Sequence, residues 1–259
     1  MRLALLALCL SSLLAGCSSD TGTNNGTNNT ASDGGLDAGN PVPDVDNSGV
    51  TYAESYSTRL TQLRFVEAPA ADLNGIVELN LDQSLDEPII LLVELQDLDA
   101  DAGSATLKAG SGLKGSAEGS FVYDPDSSPG TVPATIDLAS GAFEGTFADY
   151  QFVATIEFSG EVQKVNIPLH DLTISGTLDL SEDGTTASIP LGKWSGHVTK
   201  ADGDVTMVVL AGGEPRPLTE LFRVETLNYD TATDSVVAAG TGDAWKIDAT
   251  FIAEAATIE

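Results

Sequence analysis

The dominant pattern along this chain is alternation of apolar and polar residues. From Leu172 to Leu180 (LTISGTLDL), Leu172, Ile174, Gly176, Leu178 and Leu180 interleave with Thr173, Ser175, Thr177 and Asp179. Near the C-terminus Trp245, Ile247, Ala249, Phe251, Ala253 and Ala255 interleave with Lys246, Asp248, Thr250 and Glu254, and Ile252 breaks the polar face. The segments 132–138 and 152–158 repeat the pattern. A period of two sends successive side chains to opposite faces, so each segment predicts an antiparallel strand with one face on a core. The run from Ile89 to Leu95 (IILLVEL) is apolar almost throughout, which predicts a central strand covered on both sides.

Turn-forming residues separate these runs: Asp124 to Gly130, Glu182-Asp183-Gly184, Asp202-Gly203 and Gly212-Gly213. Their spacing suits hairpins and Greek-key connections. One short helix is predicted over Pro217 to Phe222, entered through Pro215-Arg216-Pro217. The expected fold is all-β: a single antiparallel β-sandwich of about nine to eleven strands, with a β-barrel as the alternative. The near-repeat LTQLRFVE at 60–67 and LTELFRVE at 218–225 is too short to argue duplication.

A different apolar run opens the chain. Arg2 precedes Leu3 to Leu14, a stretch too short to cross a bilayer as a mature helix, and Leu14-Ala15-Gly16-Cys17 follows. This resembles the lipobox of bacterial lipoproteins. The resemblance implies cleavage before Cys17, lipid attachment at Cys17 and, with Ser18 rather than Asp beside it, sorting to the outer membrane. From Ser18 to Gly49 there is no aromatic residue and a repeated Thr-Asn-Asn unit, too little apolar surface to offset the entropy of ordering. Such a segment is a flexible tether with a reach of roughly 30 Å. The expected organisation is a signal peptide over 1–16, a lipidated and disordered tether over 17–50, and the β domain over 51–259. The only other cysteine, Cys9, lies in the leader. A thiol nucleophile, a cysteine zinc site and an iron–sulfur cluster are thereby excluded from the mature domain.

Charge narrows the partners. Lys and Arg total 11 against 39 Asp and Glu, a formal net charge of −28. Such a surface repels nucleic acid and anionic lipid, so the membrane is met through the lipid anchor. It favours solubility and divalent cations. Asp97, Asp99 and Asp101 alternate as in a calcium loop, although Ala102 and Lys108 stand where an EF-hand needs Gly and Glu. They are the weak metal candidates, with calcium as the ion; no other cofactor is expected. Asp44-Val45-Asp46-Asn47-Ser48-Gly49 matches the first half of such a loop.

The two histidines, His170 and His197, accompany neither a Gly-x-Ser-x-Gly elbow nor a His-Glu-x-x-His helix, and capping or pairing locally at strand ends is their expected role. A carboxylate pair for glycoside hydrolysis would need an aromatic cleft, for which Trp194 and Trp245 are the stacking candidates. Trp245 shares the apolar face of its strand and is expected in the core. Gly242 to Ile258, with Ile167 to Leu178, resembles exported lipoproteins of myxobacteria-like bacteria, which implies export and anchoring but no activity. Tyr123-Asp124-Pro125-Asp126 through Ile136-Asp137-Leu138 resembles periplasmic polyisoprenoid-binding barrels. The expected function is a non-enzymatic, lipid-anchored interaction module of the cell envelope, meeting an envelope protein or glycan. The alternatives are a polysaccharide hydrolase and a lipidic-ligand carrier.

Overall fold

The computed structural model describes residues 45–66, 89–127, 129–158, 161–209 and 214–259, with Asn74, Val77 and Leu81 between; for 154–158 and 161–163 it describes the backbone alone. The leader, Cys17, most of the tether and Gly212-Gly213 lie outside these residues.

The chain forms β1 (Tyr56–Phe65), β2 (Ile90–Asp99), β3 (Ser104–Lys114), β4 (Ser120–Tyr123), β5 (Gly130–Asp137), β6 (Ala142–Phe158) and β7 (Glu161–Thr177). After these come β8 (Asp179–Leu180), β9 (Ala187–Thr199), the helix α1 (Lys200–Val205), β10 (Met207–Val208) and β11 (Arg216–Pro217). The helix α2 (Leu218–Phe222), β12 (Tyr229–Asp230), β13 (Ser235–Val236), β14 (Ala244–Ala255) and β15 (Thr257–Ile258) complete it. Strands β1, β2, β3, β5, β6, β7, β9 and β14 pair antiparallel in that order. Then β14 pairs with both β9 and β1, so the sheet closes into an eight-stranded barrel.

The all-β class stands, and the architecture is the barrel alternative. A sandwich needs two sheets with free edges, whereas β14 satisfies the ladders of both neighbours and leaves no edge. Each barrel strand pairs with the next one in sequence, so the anticipated hairpins are present and Greek-key crossings are not needed among these eight.

The alternation seen in the sequence is the inside and outside of this barrel. Trp245, Ile247, Ala249, Phe251 and Ala253 are buried on β14 and join one core with Leu172, Ile174, Phe143, Phe147 and Leu107. An eight-stranded barrel has room for side chains but little else, so large rings need small neighbours. Phe251 faces Gly192 and Phe143 faces Gly176 across adjacent strands. A Cβ on Gly192 would lie 2.1 Å from Phe251 Cζ, inside any tolerable contact. The doubly apolar reading of Ile89 to Leu95 also holds. Leu91, Val93 and Leu95 face the barrel, while Ile90 and Leu92 pack outside it against Phe121, with Ile258 nearby.

That outer cover is β4 with β15, paired in parallel. The Glu259 side chain fastens it by accepting from the Ser116 and Ala117 backbone N–H groups at 3.2 and 3.0 Å and from the Ser116 and Ser120 hydroxyls. At the end where β9 finishes and β14 begins, α1 and α2 form a second cover over Trp245. The predicted helix is α2. Asp202-Gly203, expected as a turn, lies instead in α1, because the Thr199 hydroxyl caps it by accepting from the Asp202 N–H at 3.1 Å. Before β1, Asn47 is buried: its Nδ2 donates to Leu178 O at 2.8 Å and its N–H to Ala139 O at 3.0 Å. Docked chain therefore reaches back at least to Asn47.

Gly192→Ala should lower unfolding stability by about 1–3 kcal/mol, the usual cost of overpacking, measured by denaturant titration. An unchanged midpoint would mean that the Phe251 ring moves aside freely. Hydrogen bonding from the Ser120 hydroxyl, then from the Ala117 N–H and Ser116, pulls the Glu259 carboxyl down to about 2. Its folded value is depressed, so its contribution is present above the ordinary carboxylate range and is lost as pH falls through about 2. The gap in thermal midpoint between wild type and Glu259→Gln should be constant near neutrality and vanish in strong acid.

Candidate functional site

Both histidines of the chain meet on the outer wall, beside the end covered by α1. A bulge between His170 and Thr173, with Asp171 in left-handed backbone (φ 48°), shifts β7 by one residue against β9. The pleat consequently shows Leu169 and Leu172 to the core, and both residues between them lie off it. Register then aligns Asp149 of β6, His170 of β7, His197 of β9 and Lys246 of β14 in one cross-strand row.

Within this row the His170 Nδ1 lies 2.9 Å from Asp149 Oδ1, and its Nε2 lies 2.8 Å from Asp202 Oδ2 on α1. Asp202 also accepts from the Thr199 hydroxyl. The imidazole of His197 lies 5.5 Å from that of His170 and stacks on Tyr229 at 5.0 Å. Lys246 Nζ sits 5.1 Å from the same Tyr229 ring, and the Tyr229 hydroxyl donates to Asp234. His197 is buried, and its Nδ1 is 4.0 Å from Asp171.

These surroundings drive the two imidazoles apart. Burial alone would lower His170, but the hydrogen bonds and charges of Asp202 and Asp149 outweigh it and the net shift is upward. His197 shifts downward, first through burial and then through the charge of His170. The hydrogen bond to Asp234, reinforced by burial, pushes Tyr229 up to about 12. With carboxylates on both ring nitrogens, His170 has none left to serve as a base toward a hydroxyl. Around His170 the cluster thus pairs an imidazole with two carboxylates. The histidines are expected to cap or pair locally, and His170 pairs with Asp149 on the adjacent strand and with Asp202 on α1.

The other residues named from sequence are dispersed. Asp97 occupies a bulge of β2 in left-handed backbone (φ 52°). Asp99 Oδ1 accepts from the N–H groups of Asp101 and Ala102 at 3.0 and 2.9 Å, so this carboxylate closes the β2–β3 hairpin. No group of three or more His, Cys, Asp or Glu suited to a metal ion occurs among the described residues. Asp46, in the other acidic turn, accepts from the Ser48 N–H at 2.9 Å. Trp245 is in the core as expected, its Nε1 donating to Arg223 O at 3.2 Å. Trp194 is also buried, its ring 6.1–6.4 Å from those of Tyr150, Phe152 and Phe251, so neither tryptophan offers a stacking face.

A further row escaped the sequence reading: Thr135, Glu144, Ser175 and Lys193, aligned across β5, β6, β7 and β9. They line an open depression of about 550 Å³ with Asp137, Thr177 and Leu191. Alternation alone identifies such residues as outward, but only register shows which of them share a row.

Replacing Asp99 with Ala leaves two hairpin N–H groups without their carboxylate. Asp99→Ala should therefore lower unfolding stability by about 1 kcal/mol, equally with chelator and with millimolar calcium. A calcium-dependent difference, or a stoichiometric calorimetric isotherm lost in the variant, would support calcium binding at this turn.

No protein-family model matches the chain, and no curated protein or solved structure matches it.

Proposed function

We propose that this chain is a lipid-anchored, non-enzymatic protein of the cell envelope whose barrel is an interaction module, engaging an envelope protein or glycan through its outer wall. One observation carries this reading: the barrel interior is occupied by its own side chains, Trp194, Phe147, Tyr150, Phe152 and Phe251 among them. A carrier of lipidic ligands needs an apolar void of roughly 300–1,000 Å³. Recognition is then left to the outside, where the depression around Lys193, Glu144 and Ser175 supplies donors, acceptors and both signs of charge. The anchor at Cys17 and the tether after it rest on the sequence, and a long tether suits a rigid domain that searches for partners near a membrane.

The test has two arms. Radiolabelled palmitate should enter wild type but not Cys17→Ser, which should also leave the outer-membrane fraction; equal labelling would overturn the anchor. The purified protein should turn over no ester, glycoside, peptide or phosphate substrate. A partner found by glycan array or affinity capture should bind saturably, at least tenfold more weakly to Lys193→Glu, about 1.4 kcal/mol. Saturable hydrolysis lost on changing one Asp or Glu would overturn this reading in favour of the polysaccharide hydrolase.

A further inference from the structure

We propose that His170 is a proton-dependent latch that holds α1, and α2 packed against it, over one end of the barrel. Asp149 and Asp202 approach the two ring nitrogens at 2.9 and 2.8 Å, and ionised carboxylates only accept. A neutral imidazole has a single N–H, so only the imidazolium satisfies both contacts. Loss of its second proton turns one charge-assisted hydrogen bond into a lone pair facing a carboxylate. Asp149 belongs to the barrel wall and Asp202 to the cover. His170 is itself on the wall, so the contact that ties the cover down is that of Nε2 with Asp202, and loss of the imidazolium charge weakens it whichever nitrogen keeps the proton.

The groups around the latch favour the charged form. Asp149 faces His170 from β6, Asp171 adjoins it on β7, Asp202 reaches it from α1, and His197 lies beside it on β9. Behind His197 stand Tyr229, Asp234 and Lys246. His197 is buried beside His170, and burial, then the charge of His170, lowers its value where that of His170 is raised. Beneath the cover, Gly203 lies so close to Trp245 that a Cβ there would be 2.9 Å from the indole. Phe222 of α2 packs edge-on against the same indole at 5.5 Å. Lifting α1 uncovers Trp245.

The pH direction follows from the raised value of His170. The latch contributes fully below the ordinary histidine value of about 6.5 and is lost as pH rises through the value of His170 itself. Amide hydrogen exchange of the whole protein, corrected for intrinsic rates, should show flat protection at 200–209 and 216–222 in mild acid. Protection there should fall at least tenfold as pH rises through the His170 titration followed by NMR, while the centre of β14 stays protected and Trp245 fluorescence shifts in step. His170→Gln should exchange fast in this segment at every pH, and His170→Arg, with a permanent charge, should keep it protected throughout. Wild-type protection no steeper with pH in this segment than in β14 would overturn the latch, as would an Arg variant that loses protection in step with wild type. If either variant fails to fold, the wild-type comparison of the two segments alone decides.

Discussion

The pairing of β14 with both β1 and β9 is the constraint on which the rest depends. It joins Thr58 to Ala255, partners almost two hundred residues apart, and it converts a meander into a closed wall. Without it β1 and β9 would each present an open edge, the usual template for aggregation. Residues 45–259 contain no cysteine, so no disulfide holds these ends together and the ladder and the core it encloses must supply the closure. Closure also fixes the interior volume. Rings opposite glycine, as at Phe251 and Gly192, are the consequence: the wall cannot expand to admit two large side chains in one layer.

The acidity has a local explanation in the same topology. A meander needs a turn after every strand, and aspartate closes many of them by accepting backbone N–H groups two or three residues on. Asp46, Asp99, Asp137, Asp183 and Asp230 all do so. Asp46, Asp137 and Asp183 are held below the ordinary carboxylate value, chiefly by the hydroxyls they accept from nearby. Their turns are therefore supported above that range and weaken as pH falls below it. This also explains why acidic stretches of this chain imitate calcium loops. The Asx turn and the first half of a calcium loop use the same residue types at the same spacing, and at Asp46 and Asp99 the carboxylates accept backbone N–H groups.

Strand faces were legible because alternation records burial directly, as on β14 and on doubly covered β2. Closure was not legible, since a sandwich and a barrel demand the same alternation and differ only in whether the last strand meets the first. The helix α1 was hidden by Asp202-Gly203, a turn signal overridden by the Thr199 cap and by packing on Trp245. The near-repeat makes the point most sharply. Leu60-Thr61-Gln62-Leu63-Arg64-Phe65 is barrel strand, whereas Leu218-Thr219-Glu220-Leu221-Phe222 is helix, so tertiary context rather than local propensity decides. The histidine pair was invisible for a related reason. His170 and His197 are 27 residues apart in sequence and become neighbours only through a one-residue bulge, which no periodicity announces.

The two outer covers are fastened by different physics, and the difference separates what is permanent from what can respond. Over β2, the cover of β4 and β15 buries Ile90, Leu92 and Phe121 and is tied by the Glu259 carboxylate, whose depressed value keeps it ionised from mild acid upward. Lys108 strengthens it from below, its ammonium 3.3 Å from Glu94 and 4.0 Å from the Tyr123 ring. Apolar burial does not titrate and the Glu259 carboxyl does so only far below neutrality, so this side of the barrel stays closed. Over Trp245, the cover of α1 and α2 shares apolar contact with the core but meets the wall of β6 and β7 through an imidazolium between two carboxylates. Histidine is the one side chain whose ordinary value lies close to neutrality. A single barrel thus carries one cover set by packing and one set by a proton, and the second stands beside the only two histidines in the chain.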